Sequence, residues 1–224
     1  MRGGVKSESH EERSQRARAI LRKLERYRPE ARLELQFSNP LELLVATVLA
    51  AQATDRRVNE VTRTLFQRYR TAQDYAGADR AKLEQEIKPT GFYHQKTKAL
   101  IGIGQALLER HAGEVPRTME GLVALPGVAR KTANVVLGNA MGVASGIVVD
   151  RHVERVAHRT ALSEEKTPEK IEADLMELLP KRSWISFGTH YTLHGRYICT
   201  ARKPKCSQCP ILDLCPQVGV TDAQ

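Results

Sequence analysis

Residues 125–136 read LPGVARKTANVV. An apolar lead runs into Pro126 and Gly127, which break the helical pattern of Met119, Leu122 and Val123. Ala133, Val136, Leu137 and Ala140 then recur at helical spacing. The stretch predicts helix, hairpin, helix over about residues 118–141, with Lys131 near the mouth of the turn. Backbone N–H groups without intrahelical partners and the positive end of the helix dipole gather at such a mouth, which suits a phosphate. A surface lysine beside a helix turn would read the same way, so this stretch leaves both roles open.

The rest of the chain narrows the choice. It has 224 residues, a formal net charge of +9 and a pI of about 9.6. That length suffices for one large domain or two small ones with a real core. The basic balance favours a polyanion as partner, nucleic acid before a membrane surface. No apolar run reaches the roughly 18 residues of a membrane span. The N-terminus has no apolar signal core and carries Glu8, Glu11 and Glu12, so a cytoplasmic location is expected.

Residues 1–15 are polar and without periodicity, and are expected to form a disordered extension. A helix is predicted from Arg16 to Tyr27. Asn39, Pro40 and Glu42 form a helix start with the elements of a capping box. The helix that follows is apolar nearly all round and should be buried. Asp55 can cap the next one. A short helix is predicted around Asp79–Ile87 and a longer one from Tyr93 to His111, stopped by Gly113. After the hairpin unit, the loop of Gly142–Gly146 leads through Val148-Val149-Asp150 into another helix. Thr167-Pro168 opens a further one, and a last helix from about Ser183 to Ile198 delivers the chain to its cysteines. Roughly ten helices and no alternating strand pattern make the expected fold all-α.

Cys199, Cys206, Cys209 and Cys215 have six, two and five residues between them. Four cysteines confined to one short segment read as metal ligands rather than as a disulfide framework. Their spacing admits zinc or an iron–sulfur cluster; one close couple flanked by two singles suits the cluster better. Arg202, Lys203 and Lys205 lie between the first two. They could compensate the charge of the thiolates or meet a DNA phosphate, and three cations on so short a loop favour the phosphate. Asp150 stands immediately before a helix, which by itself reads as an N-cap.

LLVATVLAAQATD, GFYHQKT, GEVP, LPGVARKTANVVL, VVDRHVERV and HGRYICTARKPKC together resemble the helix-hairpin-helix DNA glycosylases, and among them the endonuclease III family. The resemblance covers about residues 17–216. It implies two helical lobes with a DNA-binding groove between them. Residues 16–32 and 144–224 would form an iron–sulfur cluster lobe, and residues 33–143 a six-helix barrel holding the hairpin. It implies a bifunctional DNA glycosylase and apurinic/apyrimidinic lyase that removes oxidised or ring-saturated pyrimidines from double-stranded DNA, acting as a monomer. The four cysteines match a [4Fe–4S] loop residue for residue.

Under the same resemblance Lys131 matches the amine that attacks the sugar and Asp150 the carboxylate that stabilises the sugar cation. The amine must be neutral to attack, and burial, the helix N-terminus and Arg130 would all disfavour its ammonium form. Gln52 matches the residue that fills the hole left by a flipped base, and Phe92 the position of a leucine wedge. His152 lies two residues after the aspartate, as in the family. Gly127, Ala129 and Arg130 fall on the hairpin's DNA contact. Two departures stand out. Ala129 replaces the hairpin's second glycine, and one extra residue separates Lys131 from Asp150, which the Gly142–Gly146 loop is expected to absorb. An adenine-excising relative shares the cluster but lacks the lysine; a non-enzymatic iron–sulfur DNA-binding or redox protein is the rival from another class.

Overall fold

The computed structural model describes residues 8–224. The helices of the described residues are α1 (His10–Tyr27), α2 (Pro40–Leu49), α3 (Asp55–Arg68), α4 (Ala72–Ala76), α5 (Arg80–Ile87), α6 (Tyr93–His111), α7 (Met119–Val123), α8 (Arg130–Met141), α9 (Arg151–Arg159), α10 (Pro168–Leu178) and α11 (Trp184–Tyr197). No strand occurs among those residues, so the fold is all-α as expected. The chain forms two compact units, one from Leu33–Ser145 and the other from the chain up to Arg32 with Gly146–Gln224.

In the Leu33–Ser145 unit, α2 is the buried centre. Asn39 caps it, accepting from the Glu42 N–H at 3.0 Å, while the Glu42 carboxylate accepts from the Ser38 N–H at 2.6 Å rather than from the cap residue itself. Leu43, Leu44, Ala46 and Leu49 are fully buried. Each buried leucine is worth about 1.5–3 kcal/mol of transfer free energy, which outweighs a weak amphipathic signal. The helix packs on α3, α6 and α8. Thr54 rather than Asp55 caps α3, accepting from the Arg57 N–H at 3.3 Å; Asp55 is already in the first turn, where the helix dipole favours its charge. The unit holds seven α-helices instead of six. The unforeseen one is α4, a single turn closed by a Thr71–Asp74 capping box.

The other unit corrects the expected start of α1. Residues 10–15 are helical, because Ser9 and Glu12 complete a capping box and Ser14 is buried, its hydroxyl donating to the Leu178 carbonyl at 2.7 Å. Arg16 adds a two-pronged pair with Glu8 and a bond to the Thr160 carbonyl. The remaining part of the expected N-terminal extension, residues 1–7, lies outside the described residues. α1, α9, α10 and α11 close over Ile20, Leu24, Val156, Leu175, Phe187 and Tyr191. The last two rings stack with centroids 4.0 Å apart.

Candidate functional site

The hairpin is built as its sequence dictates. Val128 N–H donates to the Leu125 carbonyl at 3.2 Å, with Pro126 and Gly127 between them. Gly127 has φ +73°, the conformation a glycine supplies at the third position of such a turn. An added Cβ there would also sit 3.0 Å from the Ala99 methyl. Ala129, which stands where the hairpin would have its second glycine, is extended at φ −88°, ψ 166°, so alanine fits without strain. It is the N-cap of α8 and offers no side-chain acceptor. The first intrahelical bond of α8 starts at Ala133, which leaves the N–H groups of the first turn pointing out of the helix end. Arg130 and Lys131 stand on that turn, both exposed. The burial expected of Lys131 is therefore absent, because the first turn of α8 carries its side chains outward and only from Ala133 on does the helix enter the core.

Gln52 and Phe92 belong to the same unit and share a backbone feature that sequence could not show. Gln52 has φ +57° and Phe92 φ +49°. Left-handed non-glycine residues cost of order 1–3 kcal/mol and collect at functional sites. Gln52 is exposed in the turn leaving α2, and Phe92 is 56% exposed at the N-terminus of α6.

In the second unit Asp150 caps α9. One oxygen, Oδ1, accepts from the N–H groups of His152 and Val153 at 2.8 and 2.9 Å. The carboxylate is half-buried. His152 follows, its Nδ1 3.2 Å from Arg155 Nη2. Burial lowers the His152 pKa, against an opposing pull from Asp150. Gly195 makes room for it: a Cβ at that position would meet the His152 Cβ at 2.9 Å and its carbonyl oxygen at 3.0 Å. Between Lys131 and Asp150, α8 ends at Gly142 with φ +66°, where Val143 N–H donates back to the Leu137 carbonyl at 2.8 Å. That terminus is a glycine-capped helix end, and the chain after it is irregular up to Asp150.

Cys199, Cys206, Cys209 and Cys215 line one cavity together with His194, Arg159 and Ile211. All four thiols are free. Among the described residues no three His, Cys, Asp or Glu side chains converge closely enough to hold a single metal ion. Four cysteines around one space are the donor set that an iron–sulfur cluster takes. Burial pushes the Cys209 thiol up to about 11 and those of Cys206 and Cys215 above their ordinary value. Binding a metal there would require these thiols to lose their protons.

The basic loop behaves differently from its neighbours on α9. Arg202 and Lys203 are exposed, and Lys203 lies 4.0 Å from Asp222; Lys205 is half-buried. The cation that reaches a cysteine sulfur is Arg159, whose Nη1 lies 3.3 Å from Cys199 Sγ and 2.7 Å from the Thr200 carbonyl. Arg155 holds the Cys199 and Gly195 carbonyls at 3.0 and 2.6 Å. His194 Nε2 is 3.6 Å from Cys209 Sγ. Arg155, Arg159 and His194 escaped the sequence analysis. The i, i+4 spacing of Arg151, Arg155 and Arg159 was the available signal for two of them.

Residues 45–181 match the family of HhH-GPD superfamily base excision DNA repair proteins, and residues 199–215 match the iron-sulfur binding domain of endonuclease III. The chain is 48% identical to endonuclease III of Synechocystis sp. over 91% of its own length and 93% of that protein's. It is 42% identical to endonuclease III of Escherichia coli, over 88% and 92% of the two lengths. A solved structure of a trapped endonuclease III–DNA covalent intermediate superposes with a TM-score of 0.85 at 41% identity, covering 90% of this chain and 95% of that one.

Proposed function

From the premise that this chain belongs to the endonuclease III family of base-excision DNA glycosylases, we propose that Lys131 and Asp150 carry its chemistry on duplex DNA containing oxidised or ring-saturated pyrimidines. The chain is a DNA N-glycosylase with lyase activity at apurinic and apyrimidinic sites, and it carries a [4Fe–4S] cluster. In its unprotonated form the Lys131 amine attacks C1′ of the lesion's deoxyribose. The glycosidic bond breaks with its electron pair on the base, which takes up a proton as it leaves. The amine loses a proton, the sugar ring opens, and a protonated Schiff base results. Removal of a C2′ proton then expels the 3′ phosphate, and water releases the amine. Asp150 faces the positive charge that develops on the sugar. Cys199, Cys206, Cys209 and Cys215 would hold the cluster, which would tie down the C-terminal segment.

The observation that carries this reading is an exposed lysine on the first turn of a helix with no side-chain cap, directly after a glycine turn. Gly127 and Ala129 offer main-chain N–H groups to a DNA phosphate beside that amine, and Arg130 adds charge. Gln52 and Phe92 fill the gap left by the extruded nucleotide. His152, Arg202, Lys203 and Lys205 supply further contacts to the backbone. The enzyme acts as a monomer in the compartment of the DNA; no described helix is long and apolar enough to cross a membrane. A panel of single-lesion duplexes treated with borohydride tests the assignment. Covalent trapping on pyrimidine lesions and abasic sites, lost in Lys131→Ala, is the expected result. Trapping that survives in Lys131→Ala would overturn it.

A further inference from the structure

Lys96, in the first turn of α6, is 5% exposed, and its ammonium ends on two backbone carbonyls. Nζ donates to Leu49 O at 2.7 Å and to Thr90 O at 2.8 Å. Leu49 is the last residue of α2, three before Gln52; Thr90 closes the 3₁₀ turn two residues before Phe92. One cation thus bridges the segments that lead into two left-handed residues. Among the described residues no carboxylate pairs with it. It rests on the negative end of α2, where the last carbonyls have no intrahelical donor. Burial lowers its pKa to about 8, a sign of how poorly a helix end alone replaces water. A methionine or leucine could fill this place at less cost, so packing does not account for a charge here.

We propose that Lys96 is a positioning residue that holds the Gln52 and Phe92 loops in register, so that both side chains enter the gap left by the extruded nucleotide. It touches neither DNA nor the reacting atoms. It acts by fixing the distance between two turns whose own backbone conformations are unfavourable. Without it each turn can relax toward ordinary φ values and its side chain moves off target. The inference rests on the reading of Gln52 and Phe92 given above.

The test is a mutant cycle in the full-length, cluster-loaded protein. Lys96→Met keeps the stem and removes the donors; Lys96→Gln, which is too short to span both carbonyls, is the second variant should the first fold poorly. Each is measured alone and combined with Gln52→Ala/Phe92→Ala, on lesion-containing duplex and on a single-stranded abasic oligonucleotide, per folded molecule. The expected result is at least about tenfold slower duplex excision for either Lys96 variant, single-strand cleavage within about twofold of wild type, and little further loss when Lys96→Met is added to the Gln52/Phe92 double variant. Equal losses on both substrates, or full additivity, would overturn the inference and make Lys96 a general stability residue. If the Gln52/Phe92 double variant excises normally, the gap-filling reading itself fails, and this proposal with it. Normal duplex excision by Lys96→Met beside an impaired double variant would sink the Lys96 proposal alone.

Discussion

Arg159 touches Cys199 at two atoms: Nη1 lies 3.3 Å from the sulfur and 3.4 Å from the carbonyl oxygen of the same residue. Once Cys199 is a thiolate bound to iron, this becomes a charge-assisted hydrogen bond, worth about 1.5–3 kcal/mol. Arg159→Met should therefore release iron to a chelator about tenfold faster, followed by the loss of visible absorbance. Excision per loaded molecule should change little. Bleaching at the wild-type rate would mean that Arg159 serves only to tie the Thr200 and Ala201 carbonyls.

Asp150 combines a shown structural role with a proposed chemical one, and two substitutions separate them. Asn caps helices as well as Asp, so Asp150→Asn should melt near the wild-type temperature. It removes the charge facing the sugar cation, and excision should fall by about a hundredfold, in the range of a lost electrostatic stabiliser. Asp150→Ala loses the cap as well, at a cost of about 1 kcal/mol. Wild-type excision by folded Asp150→Asn would leave the cap as its only role.

Phe92 is more than half exposed. Phe92→Ala should leave the melting temperature unchanged and slow excision from duplex DNA by at least about tenfold, given ~1–3 kcal/mol per stacked base. Cleavage of a single-stranded abasic oligonucleotide should be spared. A drop in melting temperature with equal losses on both substrates would show that the wedge lies elsewhere.

Ala129 is an N-cap residue without a capping group. A serine at this position would accept from the first turn of α8. Ala129→Ser should stabilise the protein by about 1 kcal/mol, raising Tm by about 2–4 °C for a chain of this size. The same hydroxyl would compete with a DNA phosphate for those N–H groups, so affinity should fall several-fold. Tighter DNA binding with no gain in Tm would contradict the phosphate seat.

Lys96 gives a pH signature. Its folded pKa is lowered to about 8 by burial, while the unfolded chain keeps the ordinary 10.5. Between these values the unfolded state binds more protons, so stability from this group rises with pH. The contribution is complete above 10.5 and is lost as pH falls through 8. Chemical denaturation of wild type and Lys96→Met should therefore diverge in favour of wild type from about pH 8 to 10.5. Parallel curves would mean that the lysine titrates as it does in water.

Much of this was legible in the chain itself. Apolar spacing located α2, α5, α6 and α11 to within a few residues, since burial of one face is a local pattern. Pro126-Gly127 defined the hairpin, because only glycine takes φ +73° there without strain. The cysteine spacing pointed to a cluster. Ser9 and Glu12, however, were a capping box inside a segment read as disordered, and α4 was too short to show a period at all.

What only the tertiary structure decided are the contacts that depend on distant parts of the chain meeting. Lys96 and Leu49 are far apart in sequence, and no local pattern foretells an ammonium on that carbonyl. Arg159 and Cys199 are joined only because α9 packs against α11, which ends beside the cysteine loop. The left-handed turns at Gln52 and Phe92 are likewise imposed from outside, since neither residue type prefers φ above zero. Residue type and spacing determined which chemistry this protein could perform; packing determined which side chains are held where they could perform it, because a strained backbone persists only when its surroundings over-determine it.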